Sequence, residues 1–207
     1  MATVLDQQFI ADDTNWNELH YSSSQQMIGV QVMPTVSASR NQIKLRLRKS
    51  AGLTGNIWVE LWSSSSNLPN AQQSSDSGSV AIATGVAEAW GDITFTIATP
   101  IAEVAAVPFF IIMDGDYAES SSANIDWSAD WTSPGYANVG YVYFNGSTWT
   151  GVAGTTGAQG FKEYYDDTTI VAGGPTKLKT LDGLPLAKIK TMDGLAIAKV
   201  KTWNNLT

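Results

Sequence analysis

The chain has 207 residues, no cysteine, a single histidine and a formal net charge of -7. Disulfides and thiolate metal sites are thereby excluded, and any histidine chemistry rests on His20. A hydrophobic content of 43% with eight tryptophans excludes a disordered chain, and the length suits one well-buried domain with an appendage.

Residues 1–19 precede the alternating part of the chain and are read as an N-terminal arm. Met1 to Asp6 contains neither the basic region nor the apolar run of a secretory leader, so synthesis in the cytosol is expected. From Gln25 onward, apolar and polar residues alternate with a period of two. Ile43, Leu45 and Leu47 face one way and Lys44, Arg46 and Arg48 the other, as in a strand with one wet face. Ile57, Val59 and Leu61 alternate with Trp58, Glu60 and Trp62, which predicts a strand with an aromatic second face. Val80 to Ala89 is alanine-rich, but Gly85 and the flanking glycines favour a bent strand over a helix. Ile93, Phe95 and Ile97 form another alternating strand, and Val107 to Met113 is apolar throughout and therefore central, with Pro108 at its entry. Tyr141 to Phe144 and Ser147 to Val152 flank Asn145 and Gly146, predicting a hairpin with positive φ at both of those residues. Gln159 to Tyr165 supplies a closing strand. Turn clusters at Ser63–Asn67, Ser74–Ser79, Ser120–Asn124 and Ser133–Gly135 separate these runs. Short strands so punctuated predict an all-β fold, an antiparallel jelly-roll β-sandwich over residues 20–172. No apolar window is long enough for a membrane span, and membrane insertion is not expected.

Gly173, Gly174 and Pro175 mark a linker, and residues 173–207 form a β-rich segment of 11-residue repeats. Each unit reads lysine, apolar, lysine, threonine, apolar, a two-residue turn, leucine, any residue, apolar, alanine. The charge changes sign here: residues 1–176 carry six Lys or Arg against seventeen Asp or Glu, and residues 177–207 six Lys against two Asp. The tail lysines alternate with apolar residues and lack arginine or a recognition motif, so nucleic acid is not an expected partner. A unit this short cannot bury its own side chains and becomes stable by stacking on neighbours or on other copies. Leu178, Leu181, Leu184, Leu186, Ile189, Met192, Leu195, Ile197, Val200 and Trp203 are therefore the expected oligomerisation or attachment residues, with a trimer as the expected order.

Candidate chemistry in the body is sparse. Asp114, Asp116, Asp126 and Asp130 could form a hydrolytic pair, but no spacing selects an acid and a base. Asp114, Gly115 and Asp116 lack the six to eight oxygens of a calcium shell, and His20 has no nucleophile elbow beside it. No catalytic residue, metal or cofactor is expected. Trp127, Trp131, Tyr136, Tyr141 and Tyr143 are interleaved with short polar residues, a composition that suits core, a protein interface or a sugar. Trp127, Trp131 and Tyr136 are the candidate ligand or receptor contacts.

The run from Ile43 through Thr54, Gly55, Asn56 to Trp62, then Asn67, Leu68 and Pro69, resembles a family of jelly-roll sandwich domains. These occur in phage virion proteins and bacterial surface proteins and are similar to carbohydrate-binding modules. The resemblance extends from Gln25 and Gln26 through Ile93 to Ile97, Phe109 to Met113 and Asn145 to Trp149, ending at Phe161 to Tyr165. The tail units are similar to terminal repeats of phage minor structural proteins, from which Pro185 and Asn205 depart. The resemblance implies a virion structural protein of a bacteriophage, as capsid decoration, head fibre or tail component, made in the host cytoplasm and carried on the virion. It would associate with itself, with other virion proteins and, in an alternative reading, with a host surface glycan as an adhesion module. A polysaccharide depolymerase is the second alternative.

Overall fold

The computed structural model describes residues 3–11, 13–22, 25–73, 77–118, 120–131, 141–151 and 158–166, and in the tail 180–181, 184–185, 191–192 and 195–196. Residues 1–170 form one compact unit and 171–207 another. In chain order the first contains β1 (Thr3–Phe9), β2 (Asn15–Leu19), β3 (Met27–Val32), β4 (Ala38–Lys49), β5 (Asn56–Ser65), β6 (Leu68–Gln72) and β7 (Val80–Ala81). There follow α1 (Ile82–Gly85), β8 (Gly91–Glu103), β9 (Phe109–Gly115), β10 (Ile125–Asp130), β11 (Tyr141–Phe144), β12 (Trp149–Gly151), β13 (Ala158–Gln159) and β14 (Phe161–Asp166). They make an all-β sandwich of two antiparallel sheets.

The first sheet is organised around β4. β8 pairs along one edge of it, while the other edge is shared between β14, opposite residues 40–45, and β10, opposite residues 47–49. The chain passes from β13, paired with β10, to β14, paired with β4, at Gly160. Its amide donates to the Ser128 carbonyl at 2.8 Å, and its own carbonyl accepts the Trp127 indole N–H at 2.7 Å. β1 and β2 line the outer edges of β14 and β10. The expected N-terminal arm is thus corrected: residues 3–9 and 15–19 are ladder strands, and Leu19 belongs to the core. Their polar sequence hides this, because backbone pairing rather than apolar alternation holds them.

The second sheet runs β12, β11, β3, β9, β5, β6, with β7 beside β5. Between the sheets Ile43, Leu45 and Leu47 of β4 meet a core that includes Ile57, Val59 and Leu61 of β5, all without solvent exposure. β9 is apolar on both faces for a reason. Phe109, Ile111 and Met113 enter this core, while Phe110 and Ile112 join Val142 in a second cluster packed against Met27, Trp62, Leu68 and Trp149. β3 carries Gly29 in this second cluster: a Cβ there would lie 2.3 Å from Ile112 Cδ1 and 2.8 Å from the Ile111 carbonyl.

Three local expectations are revised. Ile82–Gly85 is a single helical turn rather than a bent strand; Ile82 and Val86 are buried at its ends, and Lys49 Nζ donates to the Ile82 and Ala83 carbonyls at 3.1 and 2.9 Å. The serines 63–65 continue β5, and the turn narrows to Ser66 and Asn67, with φ of 52° and 61°. In the β11–β12 hairpin, positive φ falls on Gly146 alone (87°). Asn145 instead closes the turn, its Oδ1 accepting the amides of Ser147 and Thr148 at 3.0 and 2.8 Å.

Candidate functional site

β10 decides the fate of the aromatic segment. Ile125, Trp127 and Ala129 point into the core and are fully buried, while Asp126 and Ser128 face the other way onto Arg48 and Asp13. Trp127 is therefore corrected from a ligand contact to a core residue, since a ring without exposure that is hydrogen-bonded to Gly160 has no face to offer a sugar. The strict alternation of Ile125, Trp127 and Ala129 with Asp126, Ser128 and Asp130 was the available signal. Trp131, just past the strand, is 50% exposed. Tyr136 lies outside the described residues. Tyr141 is buried beside Tyr143, and its hydroxyl accepts Gln25 Nε2 at 2.7 Å.

The candidate carboxylates are dispersed into separate structural tasks. Asp116 accepts the Asn56 amide at 2.6 Å and its side-chain Nδ2 at 2.8 Å, bonds that hold its carboxyl below the usual range. Asp114 accepts the Gly115 amide at 2.7 Å and lies 3.6 Å from His20 Nε2. His20 is buried in a left-handed conformation (φ 57°), its Nδ1–H donating to the Tyr117 carbonyl at 2.8 Å. The Tyr117 hydroxyl donates to the Leu19 carbonyl at 2.6 Å and accepts the Ile125 amide at 3.2 Å, and burial raises its pKa. These bonds tie β2, β9 and β10 together at one end of the sandwich. Asp126 binds Arg48 Nε at 2.8 Å; burial raises the pKa of its carboxyl against the opposing pull of Arg48. The Arg48 guanidinium sits between the rings of Trp16 and Trp90, at 4.4 and 4.6 Å from their centroids. Among the described residues, no three His, Asp or Glu side chains converge to hold a metal ion, and no helix is long and apolar enough to cross a membrane.

A buried charge cluster joins β1, β4, β8 and β14. Arg40 forms ion pairs with Glu163 and, at 2.8 Å, with Asp6, and it donates to the Val36 carbonyl at 2.8 Å. Arg40 and Glu163 are fully buried and Glu103 nearly so. Burial pushes the carboxyl of Glu163 up to about 8 and that of Glu103 up to about 7, against the pull of Arg40. Glu163 shares the inward side of β14 with Phe161, so a charged residue on an apolar parity was its only sequence signal. On the second sheet, Glu60 accepts the indole N–H groups of Trp58 (3.2 Å) and Trp62 (2.6 Å), which fixes both rings on the outer face.

In the C-terminal unit the backbone repeats its pairing. β15 (Thr180–Leu181) pairs with β16 (Leu184–Pro185), and β17 (Thr191–Met192) with β18 (Leu195–Ala196), each antiparallel. Leu181 opposes Leu184 in the first pair, and Met192 opposes Leu195 in the second. These positions are offset by the 11-residue period. Leu178, Leu186, Ile189, Ile197, Val200 and Trp203 lie outside the described residues. Comparison of the chain with protein-family models, curated proteins and solved structures finds no match.

Proposed function

We propose that the chain is a virion structural protein of a tailed bacteriophage, a β-sandwich displayed on the particle that oligomerises or attaches through its C-terminal repeats. One observation carries this reading: the same two-on-two antiparallel pairing occurs twice in the tail at an 11-residue offset, with apolar residues opposed in both copies. A ladder of two residues per strand is too small to hold itself, so the pairs become stable by stacking on one another, on other copies or on a partner. Three of the four candidate hydrolytic carboxylates, Asp114, Asp116 and Asp126, lie against His20, Asn56 and Arg48, which supports a structural over a catalytic reading. A second reading, an adhesion module that binds host glycan, retains Trp131 as its exposed ring. Antibodies to the sandwich, applied to particles purified from a host lysate, should decorate them at a fixed location. Particles that lack the chain would remove the virion reading.

A further inference from the structure

Five of the six basic residues that precede the tail lie on β4, and the sixth, Lys162, lies beside it on β14. The sheet register then assembles a row across four strands, on the face turned away from the core. It runs Gln8 of β1, Lys162 of β14, Lys44 of β4, Thr94 of β8. Every member can donate a hydrogen bond, none is a carboxylate, and the two lysines are direct cross-strand partners. Like charges so placed repel, and an anion seated between them relieves the repulsion.

The neighbouring acids are already engaged. Asp13 grips Arg46 Nε and Nη2 at 2.7 and 2.5 Å, which depresses the pKa of its carboxyl. Asp92 accepts Lys162 Nζ at 2.5 Å and lies 3.5 Å from Arg46 Nη1. Among the described residues Lys44 has no carboxylate partner; its ammonium lies 5.0 Å from the Tyr164 ring centroid. Lys44, Arg46 and Lys162 border a cleft of about 180 Å³, with Phe9 and the 66% exposed Ile10 on its wall. Among the described residues, three cations against two carboxylates line this cleft on a strongly acidic sandwich.

We propose that the cleft binds an oxyanion, a carboxylate or phosphate group, with Lys44 as its principal ligand and Lys162 as the second, Gln8 and Thr94 flanking them in the sheet register. Ammonium groups act as point charges and accept either oxyanion. The Lys162–Asp92 pair is partly exposed and hence weak, so Lys162 can be shared with a ligand. Ile10 offers an apolar wall to whatever carries the anionic group. The site does not depend on the virion reading and would exist in a protein of another role.

Isothermal titration calorimetry of the full-length chain tests this, with inorganic phosphate in one arm and a trimer of galacturonic acid in the other, so that the two sources are told apart. At least one arm should give saturable millimolar binding that weakens with added salt. Loss of a charge-assisted bond in Lys44→Gln should weaken it about tenfold, whereas Lys44→Arg should stay within about threefold of the parent. Lys162→Gln, expected to lose affinity as well, covers the case in which Lys44→Gln does not fold. Absence of saturation with either anion up to about 50 mM, a dissociation free energy below about 2 kcal/mol, overturns the proposal. Unchanged affinity in the folded lysine variants overturns it equally.

Discussion

The guanidinium of Arg40 and the carboxyl of Glu163 form an ion pair in the interior of the sandwich, with neither side chain exposed. The pair joins β4 to β14, Asp6 brings β1 to the same guanidinium, and Glu103 exerts its charge on it from β8. One cation thus serves three carboxyls in a place where water cannot screen them.

A pH dependence follows. The carboxyls of Glu103 and Glu163 rise from 4.5 to about 7 and about 8 on folding, so the folded chain keeps protons that the unfolded chain releases. Their contribution is full below about 4.5 and is lost as pH rises through the folded values. Asp13 and Asp92 act oppositely: lowered by Arg46 and Lys162 from 3.8, they contribute above that value and fade as pH falls through their folded values. Thermal melts should show a maximum near pH 5 and a fall toward pH 8.5. Glu163→Gln, which mimics the protonated acid, should flatten that fall; a melting temperature that rises over the same range would contradict the assignment.

Trp127 and Trp131 should separate cleanly in urea denaturation. Trp127→Ala removes a fully buried indole and its bond to Gly160, and should cost about 3–5 kcal/mol. Trp131→Ala changes a half-exposed ring and should stay within about 0.5 kcal/mol of the parent. Equal losses would show that Trp131 also packs structurally.

Gly29→Ala should destabilise by about 1–3 kcal/mol, because the new methyl meets both Ile112 and the Ile111 backbone. A compensating Ile112→Val should recover part of the loss in the same chemical-denaturation assay. Wild-type stability in Gly29→Ala alone would mean that β3 and β9 can separate without cost.

The turn joining β5 and β6 offers a gain. Ser66 and Asn67 both adopt positive φ, which Asn and Gly tolerate better in that order. Replacing the pair with Asn-Gly should raise stability by roughly 0.5–1 kcal/mol, read as a higher midpoint at unchanged slope. A lower midpoint would indicate that the Ser66 and Asn67 side chains matter more than their backbone.

The sandwich was legible wherever one face of a strand is wet. Ile43, Leu45 and Leu47 announced β4, and Ile57, Val59 and Leu61 announced β5. β1 and β2 were not, because Thr3–Phe9 and Asn15–Leu19 are held by ladder bonds at a sheet edge and bury few apolar side chains. The composition around Trp127 suited core, interface or sugar alike, and only its alternation with Asp126 and Ser128 points to the core position it occupies. The Arg40 cluster was hidden for a different reason: it assembles residues 6, 40, 103 and 163, and only the folded register brings them together. The repeats were legible by period alone, and the two observed pairs fall at equivalent positions within them.

Sedimentation velocity at micromolar concentration, run on the full chain and on residues 1–172, tests the role assigned to the repeats most directly. The full chain should sediment as a closed oligomer, a trimer of the 22.2 kDa chain, and residues 1–172 as a folded monomer. A monomeric full-length protein, or an oligomer that survives removal of the tail, would contradict assembly through the repeats.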